Sequence, residues 1–221
     1  MPPTIPWINT TDYSPPLLIL FGIGCFGWVV SYIAVLRMVR RNQFVEIPAG
    51  AVVANVAWEF VWGFVYTTNM GMLFAWGYRI WFFLDVFIVY MLFKHGWKQL
   101  DSKLLVPFFR PGAAFGIAAW TIGLYYFIRE GYDTPYGAIS GYILNVMMSA
   151  LYVVLIVKHA DKIAWFSGVV AWSKMLGTAL LSVFNFIVRP EDYLLMTLYT
   201  VTFILDVLYI AVFRTLKARA G

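Results

Sequence analysis

Charge is scarce in this chain. Asp, Glu, Lys and Arg supply 12% of its 221 residues and hydrophobic types 62%, against about 25% and 45–50% in soluble domains. So little polar material cannot cover a water-soluble globule. Thiols are almost absent too: the one cysteine, Cys25, excludes an internal disulfide and paired-thiol chemistry. The two histidines, His95 and His159, fall in short connections between apolar blocks, so no histidine-rich metal site is expected at membrane depth. A glycine-rich phosphate loop is missing. So are the Asp-Asp-x-x-Asp cluster that would hold magnesium on a diphosphate and an Asp-x-Asp-Asp acid motif. No metal and no cofactor are therefore expected. The net charge of +5 does not imply a nucleic-acid partner, because the basic residues sit between apolar blocks, where membrane topology accounts for them.

What the chain has is apolar runs long enough to cross a hydrocarbon core, which takes about 20 residues as helix. Backbone groups in lipid must be satisfied within the segment, so the runs are expected to be helices. Seven spans are expected, at 16–37, 49–67, 77–93, 113–128, 137–157, 164–184 and 193–213. Turn residues mark several connections, among them Pro48-Ala49-Gly50, Asn69-Met70-Gly71 and Arg110-Pro111-Gly112. The fold class is thus an all-α membrane protein, a single seven-transmembrane-helix bundle over 1–221. With the N-terminus outside or lumenal, the inner loops and tail hold 12 basic residues and the outer loops only Arg129 and Arg189. That bias favours a cytoplasmic C-terminus.

Five charged-type residues lie inside the expected spans: Glu59, Arg79, Asp85, Lys174 and Asp206. Each costs roughly 2.5–3.5 kcal/mol at a helix centre, so they are expected to face the bundle interior and to pair or be neutral. At about 1.5 Å per residue, Glu59 and Lys174 lie roughly 15 Å, and Asp85 and Asp206 roughly 11–12 Å, from the inner ends of their helices. Four helices thus contribute to one layer near the midplane. Asn55 and Glu59 share a helix face that continues to Gly63 and Tyr66; Trp81 shares a face with Asp85; Tyr199, Phe203, Asp206 and Tyr209 run along another. Lys174 with an aspartate reads as a structural ion pair, and Arg79 as a group anchored near an interface.

Acids at the base of an aromatic-walled pocket suit a particular chemistry. A carboxyl in apolar surroundings favours its neutral form and can act as a general acid. Aromatic faces stabilise a cation passing over them, and exclusion of water keeps that cation from being quenched. A cation cascade on a lipid-soluble polyene is consistent with these groups. A small proton-coupled or sugar-type transporter is the alternative for seven short spans, although transporters of that kind carry internal repeats and broken helices.

The stretch Asn55-Val56-Ala57-Trp58-Glu59-Phe60-Val61-Trp62-Gly63-Phe64-Val65-Tyr66 resembles the signature of the small integral-membrane terpene cyclases of fungal meroterpenoid and indole-diterpene pathways. Trp81-Phe82-Phe83-Leu84-Asp85-Val86 and Phe203-Ile204-Leu205-Asp206-Val207-Leu208-Tyr209 look like that family too. The resemblance implies that Glu59 and Asp206 are the catalytic acids. It also implies metal-free protonation of a terminal epoxide or alkene on a farnesyl- or geranylgeranyl-bearing substrate. Asn55 would then orient Glu59, Asp85 and Arg79 would support the site, and Trp58, Trp62, Tyr66, Trp81, Phe203 and Tyr209 would face the substrate. A pathway prenyltransferase and epoxidase are the implied partners. The location would be the endoplasmic reticulum in a fungus or the plasma membrane in a bacterium. Trp62 and Thr67 depart from the pattern, where tyrosine and proline are expected; these positions bear on substrate shape more than on reaction type.

Overall fold

The computed structural model describes residues 5–220, and the described residues form helices and connections with no strand. Seven helices follow one another: α1 (Pro15–Asn42), α2 (Ala49–Phe60), α3 (Met72–His95), α4 (Val106–Arg129), α5 (Ala138–Lys158), α6 (Gly168–Val188) and α7 (Tyr193–Ala220). Local chemistry explains their ends. Pro15 and Pro16 open α1, where a missing N–H costs nothing. Arg40 and Arg41 occupy its last turn, favourable against the helix dipole. The Ser167 hydroxyl caps α6 by accepting from Val170 N at 3.4 Å. Between α1 and α2, the Gln99 side chain satisfies the connecting backbone. Its Nε2 donates to the carbonyls of Val45 and Ile47, and its Oε1 accepts from Ala49 N.

Six of the helical stretches are long and apolar enough to cross a membrane. The second expected span is shorter: α2 continues as a π-helical turn over Val61–Val65 and stops there. At 1.5 Å per residue this reaches roughly 25 Å, below the ~30 Å hydrocarbon thickness. Two boundaries differ from expectation. Arg110-Pro111-Gly112 is not a turn but lies inside α4, which starts at Val106. Pro111 there forfeits only a bond to the carbonyl of Pro107, in the opening turn, while Arg110 Nε holds the α3 end through Phe93 O at 2.8 Å. α6 begins at Gly168 rather than 164 because Ala160–Trp165 winds into a tighter 3-10 segment.

α1 packs most extensively against α6, α5 against α7, and α2 against α3 and α4. The α1–α6 seam is built on glycine: a Cβ on Gly27 would stand 2.9 Å from Gly177 Cα, and one on Gly24 3.0 Å from Gly177 O. Small residues let two backbones meet where lipid offers no hydrophobic drive to association. Ser31 and Ser173 hydrogen-bond across the seam at 2.7 Å. Large apolar side chains such as Phe26, Phe83 and Phe115 stand exposed on the outside, as a surface facing lipid requires.

Candidate active site

Glu59 lies two residues before the π-helical turn that continues α2, and π turns recur at functional sites. It is buried, with 1% of its surface exposed. Tyr32 of α1 donates its hydroxyl hydrogen to Glu59 Oε1. The Asn55 amide, one turn earlier on the same face, places Nδ2 3.0 Å from that oxygen and 2.7 Å from Asp85 Oδ2 of α3. One amide thus joins two buried carboxyls. Glu59 Oε2 has no partner. Three helices converge here because Asn55 and Glu59 share one face of α2 and α1 and α3 approach it from either side.

Glu59 and Asn55 line a narrow cavity of about 90 Å³. One wall is aromatic: Trp28, Trp58, Tyr78 and Trp81. Tyr78 stands between Trp58 and Trp81, with ring centroids 5.1 and 5.7 Å away. This wall is held from outside the spans. Trp58 Nε1 donates to Ser140 Oγ at 2.8 Å, and Ser140 donates to Asp133 in the α4–α5 connection. Gly137, with φ +81°, leaves the room: a Cβ there would come 2.7 Å from both Trp58 Cζ2 and Trp62 Nε1. The opposite wall comes from α5 and α6.

Lys174 and Asp206 form a second buried cluster. Lys174 Nζ is 2.6 Å from Asp206 Oδ1 and 2.7 Å from Ser149 Oγ. The pair does not line that cavity. Lys174 instead faces a narrow crevice shared with Asp85, Tyr32, Asn55 and Trp28, and the residues that line both crevice and cavity are Trp28, Tyr32 and Asn55, which form the partition between them. The four midplane residues expected from the sequence thus resolve into two hydrogen-bonded clusters, Glu59 with Asp85 through Asn55 and Lys174 with Asp206, and Asp85 shares the crevice with Lys174.

Other expected site residues stand elsewhere. Arg79 donates from Nε to Gly63 O at 2.8 Å, covering a carbonyl at the end of α2, and its guanidinium stacks on Trp76 and Phe64. Trp62 is buried between Trp58 and Tyr66, while Tyr66 donates to Tyr125 O at 3.1 Å; neither lines the cavity. Tyr209 is buried against Tyr152. Phe203 is 47% exposed and does not line the cavity. Three residues before Asp206 on a helix is a lateral offset of about 60°, enough to turn Phe203 outward while Asp206 faces in. Sequence reading missed Tyr32, Trp28 and Tyr78, and the polar groups Asn145, Thr178 and Ser149. Their only signal is a polar or amphipathic residue inside an apolar run. Among the described residues, no three His, Cys, Asp or Glu groups are placed to hold a metal ion.

A sequence profile of the Pyr4-like transmembrane terpene cyclases matches residues 13–219. The chain belongs to this family. Family membership and the six apolar helices together make it an integral, multi-pass membrane protein. Among curated cyclases, mfmH of Annulohypoxylon moriforme is 28% identical over 118 residues, 52% of this chain and 48% of the relative. Cle7 of Aspergillus versicolor is 28% identical over 123 residues, 51% of this chain and 50% of that protein. Trt1 of Aspergillus terreus is 31% identical over 107 residues, 48% and 50% respectively. The matched segment spans about half the length of these relatives. No solved structure matches the chain.

A further carboxyl of this cyclase-family chain lies outside the spans. Glu46, in the α1–α2 connection, is fully buried; its Oε2 accepts from Ser167 N at 2.8 Å and its Oε1 has no partner. Burial pushes its carboxyl up to about 8, from an unfolded value of about 4.3. A group whose pKa is raised on folding stabilises the protein while protonated. That contribution is complete below the unfolded pKa and is lost as pH rises through the folded one. Thermal unfolding in detergent should therefore show stability falling between pH 5 and 8, by at most about 1.4 kcal/mol per unit. Glu46→Gln should flatten the curve; an unchanged slope would mean another group sets it.

Proposed function

We propose that the chain is a metal-free terpene cyclase that protonates the terminal epoxide or alkene of a farnesyl- or geranylgeranyl-bearing substrate and guides the resulting cation through ring closure. The observation that carries this reading is the Glu59–Asn55–Asp85 cluster, set without a cation partner at the edge of an aromatic cavity. Two ionised carboxyls bridged by one neutral amide would leave two buried charges uncompensated, at several kcal/mol each. The cluster therefore holds at least one transferable proton. Asp206 differs, because Lys174 balances its charge. Glu59 is thus the donor and Asp206 a fixed counter-charge across the partition.

In this scheme the Glu59 O–H bond breaks and its hydrogen goes to the epoxide oxygen or the alkene carbon. The cation that develops is attacked by the next double bond, closing a ring, and the last cation loses a proton to a base. The product is an isomer of the substrate. Trp28, Trp58, Tyr78 and Trp81 stabilise the travelling charge, each by roughly 2 kcal/mol where desolvated, and the apolar enclosure keeps water from intercepting it. The basic-residue bias supports an outer N-terminus and a cytoplasmic C-terminus. A prenyltransferase and an epoxidase would supply the substrate within the endoplasmic reticulum or plasma membrane.

Membranes carrying the protein, incubated with a farnesylated phenol with and without a terminal epoxide, should yield a new product of unchanged mass by mass spectrometry. The form consumed identifies the group protonated. Unchanged substrate across a panel of prenyl lengths and head groups would refute the reading.

A further inference from the structure

The α5–α6 wall of the cavity carries two buried polar atoms that the cyclase scheme leaves unused: Asn145 Oδ1 and Thr178 Oγ1, neither with a hydrogen-bond partner. Comparable side chains nearby are satisfied. Ser173, Ser182 and Thr202 each turn their hydroxyl back onto the carbonyl four residues earlier, at 2.7, 2.8 and 2.8 Å. Thr178 does not. Asn145 and Asn185 both donate Nδ2 to the carbonyl four residues earlier. The freed Oδ1 of Asn185 then accepts from Tyr136 OH at 3.0 Å, whereas that of Asn145 accepts from nothing. Because Nδ2 is fixed by its bond to Gly141 O, the unused atom of Asn145 is the acceptor.

Register brings the two together. α5 and α6 are bridged on one side by Ser149 on Lys174, and on the other by Tyr142, whose hydroxyl meets Thr178 O at 3.2 Å and Ser182 Oγ at 2.8 Å. Asn145 and Thr178 fall between these two bridges in sequence, and both line the cavity. Leaving a buried acceptor and a buried hydroxyl unpaired forfeits their desolvation, so native structures seldom keep them without a ligand or water to satisfy them.

We infer that Asn145 and Thr178 form a subsite for a hydroxyl group on the substrate, of the phenolic or enolic kind borne by a prenylated head group. The hydroxyl donates to Asn145 Oδ1 and accepts from the Thr178 hydroxyl, anchoring the head group against α5–α6 while the prenyl chain lies along the aromatic wall towards Glu59. The inference rests on this cavity being the substrate site.

Its test is a binding measurement, separate from turnover. In the Glu59→Gln protein, quenching of tryptophan fluorescence is titrated with 2-farnesylphenol and with its methyl ether. The phenol should bind about tenfold more tightly, the range of one or two hydrogen bonds. Asn145→Leu removes the acceptor that only the phenol can use, and should bring the two affinities to within about twofold while the ether's own affinity changes little. Thr178→Val removes a donor that either oxygen can accept from, and should weaken both probes alike. Equal affinities in the parent, as water-filled or idle groups would give, overturn the subsite, as does a preference that survives Asn145→Leu. Failure to bind either probe overturns it as well. Product formation by the wild type decides the cyclase reading independently of these results.

Discussion

Glu59→Gln is expected to abolish cyclisation, by a factor of about 10²–10⁴ or more, while leaving protein in the membrane at the wild-type level. Glutamine keeps the shape of the side chain and still offers an oxygen to the Tyr32 hydroxyl and the Asn55 amide. What it lacks is a transferable O–H. Removing a buried carboxyl with no cation beside it also takes away a burden on folding, so abundance should hold or rise. Product rate and membrane abundance measured on the same preparations separate the two effects. A variant that cyclises at the wild-type rate would remove Glu59 as the donor. Asp85→Asn sharpens the comparison. If the shared amide keeps the proton on Glu59, that variant should lose part of its rate and shift its pH profile without stopping.

The second large effect is on folding. Lys174→Met should strip Asp206 of the cation that stands 2.6 Å from it and leave a charge among apolar neighbours. Breaking one partner of such a pair costs about 3–5 kcal/mol, a large part of the 5–15 kcal/mol by which domains of this kind are stable. Folded protein recovered in detergent should fall severely. Lys174→Met combined with Asp206→Leu should restore it, because a matched pair replaced by apolar groups costs little, yet the double variant should form no product if Asp206 serves the reaction. Recovered protein with full activity would reduce the pair to a structural fastening. Normal abundance of the single Lys174→Met variant would show that the ion pair is not needed for folding.

The helices were legible because hydrocarbon imposes a long apolar run on each, and the placement of Asn55 with Glu59 on one face was legible because helical geometry fixes what four residues apart can share. Three-dimensional choices were not. Which aspartate Lys174 would take could not be read from depth alone, since Asp85 and Asp206 lie at similar depths; the bundle places Asp206 against it. Tyr32 gave no warning, since a tyrosine in a first span is also ordinary interface material. Pro111 reads locally as a stop signal and is overruled because it falls within the early turns of a helix whose partners, α2 and α3, fix its start. Phe203 shows the limit of stripe reading: at three residues' distance a neighbour is beside, not in line with, the residue of interest.

The glycine contact between α1 and α6 has a consequence for how such a scaffold diversifies. α1 carries Tyr32, which holds Glu59, and α6 carries Lys174, which holds Asp206. With Gly24, Gly27 and Gly177 in backbone contact, the two helices act as a gauge block that sets the spacing between the two acid clusters. Among the described glycines, no other helix pair meets glycine to glycine. Variation in ring number and substrate bulk should therefore be written into α2, α3 and α5, around an α1–α6 core whose dimensions stay fixed.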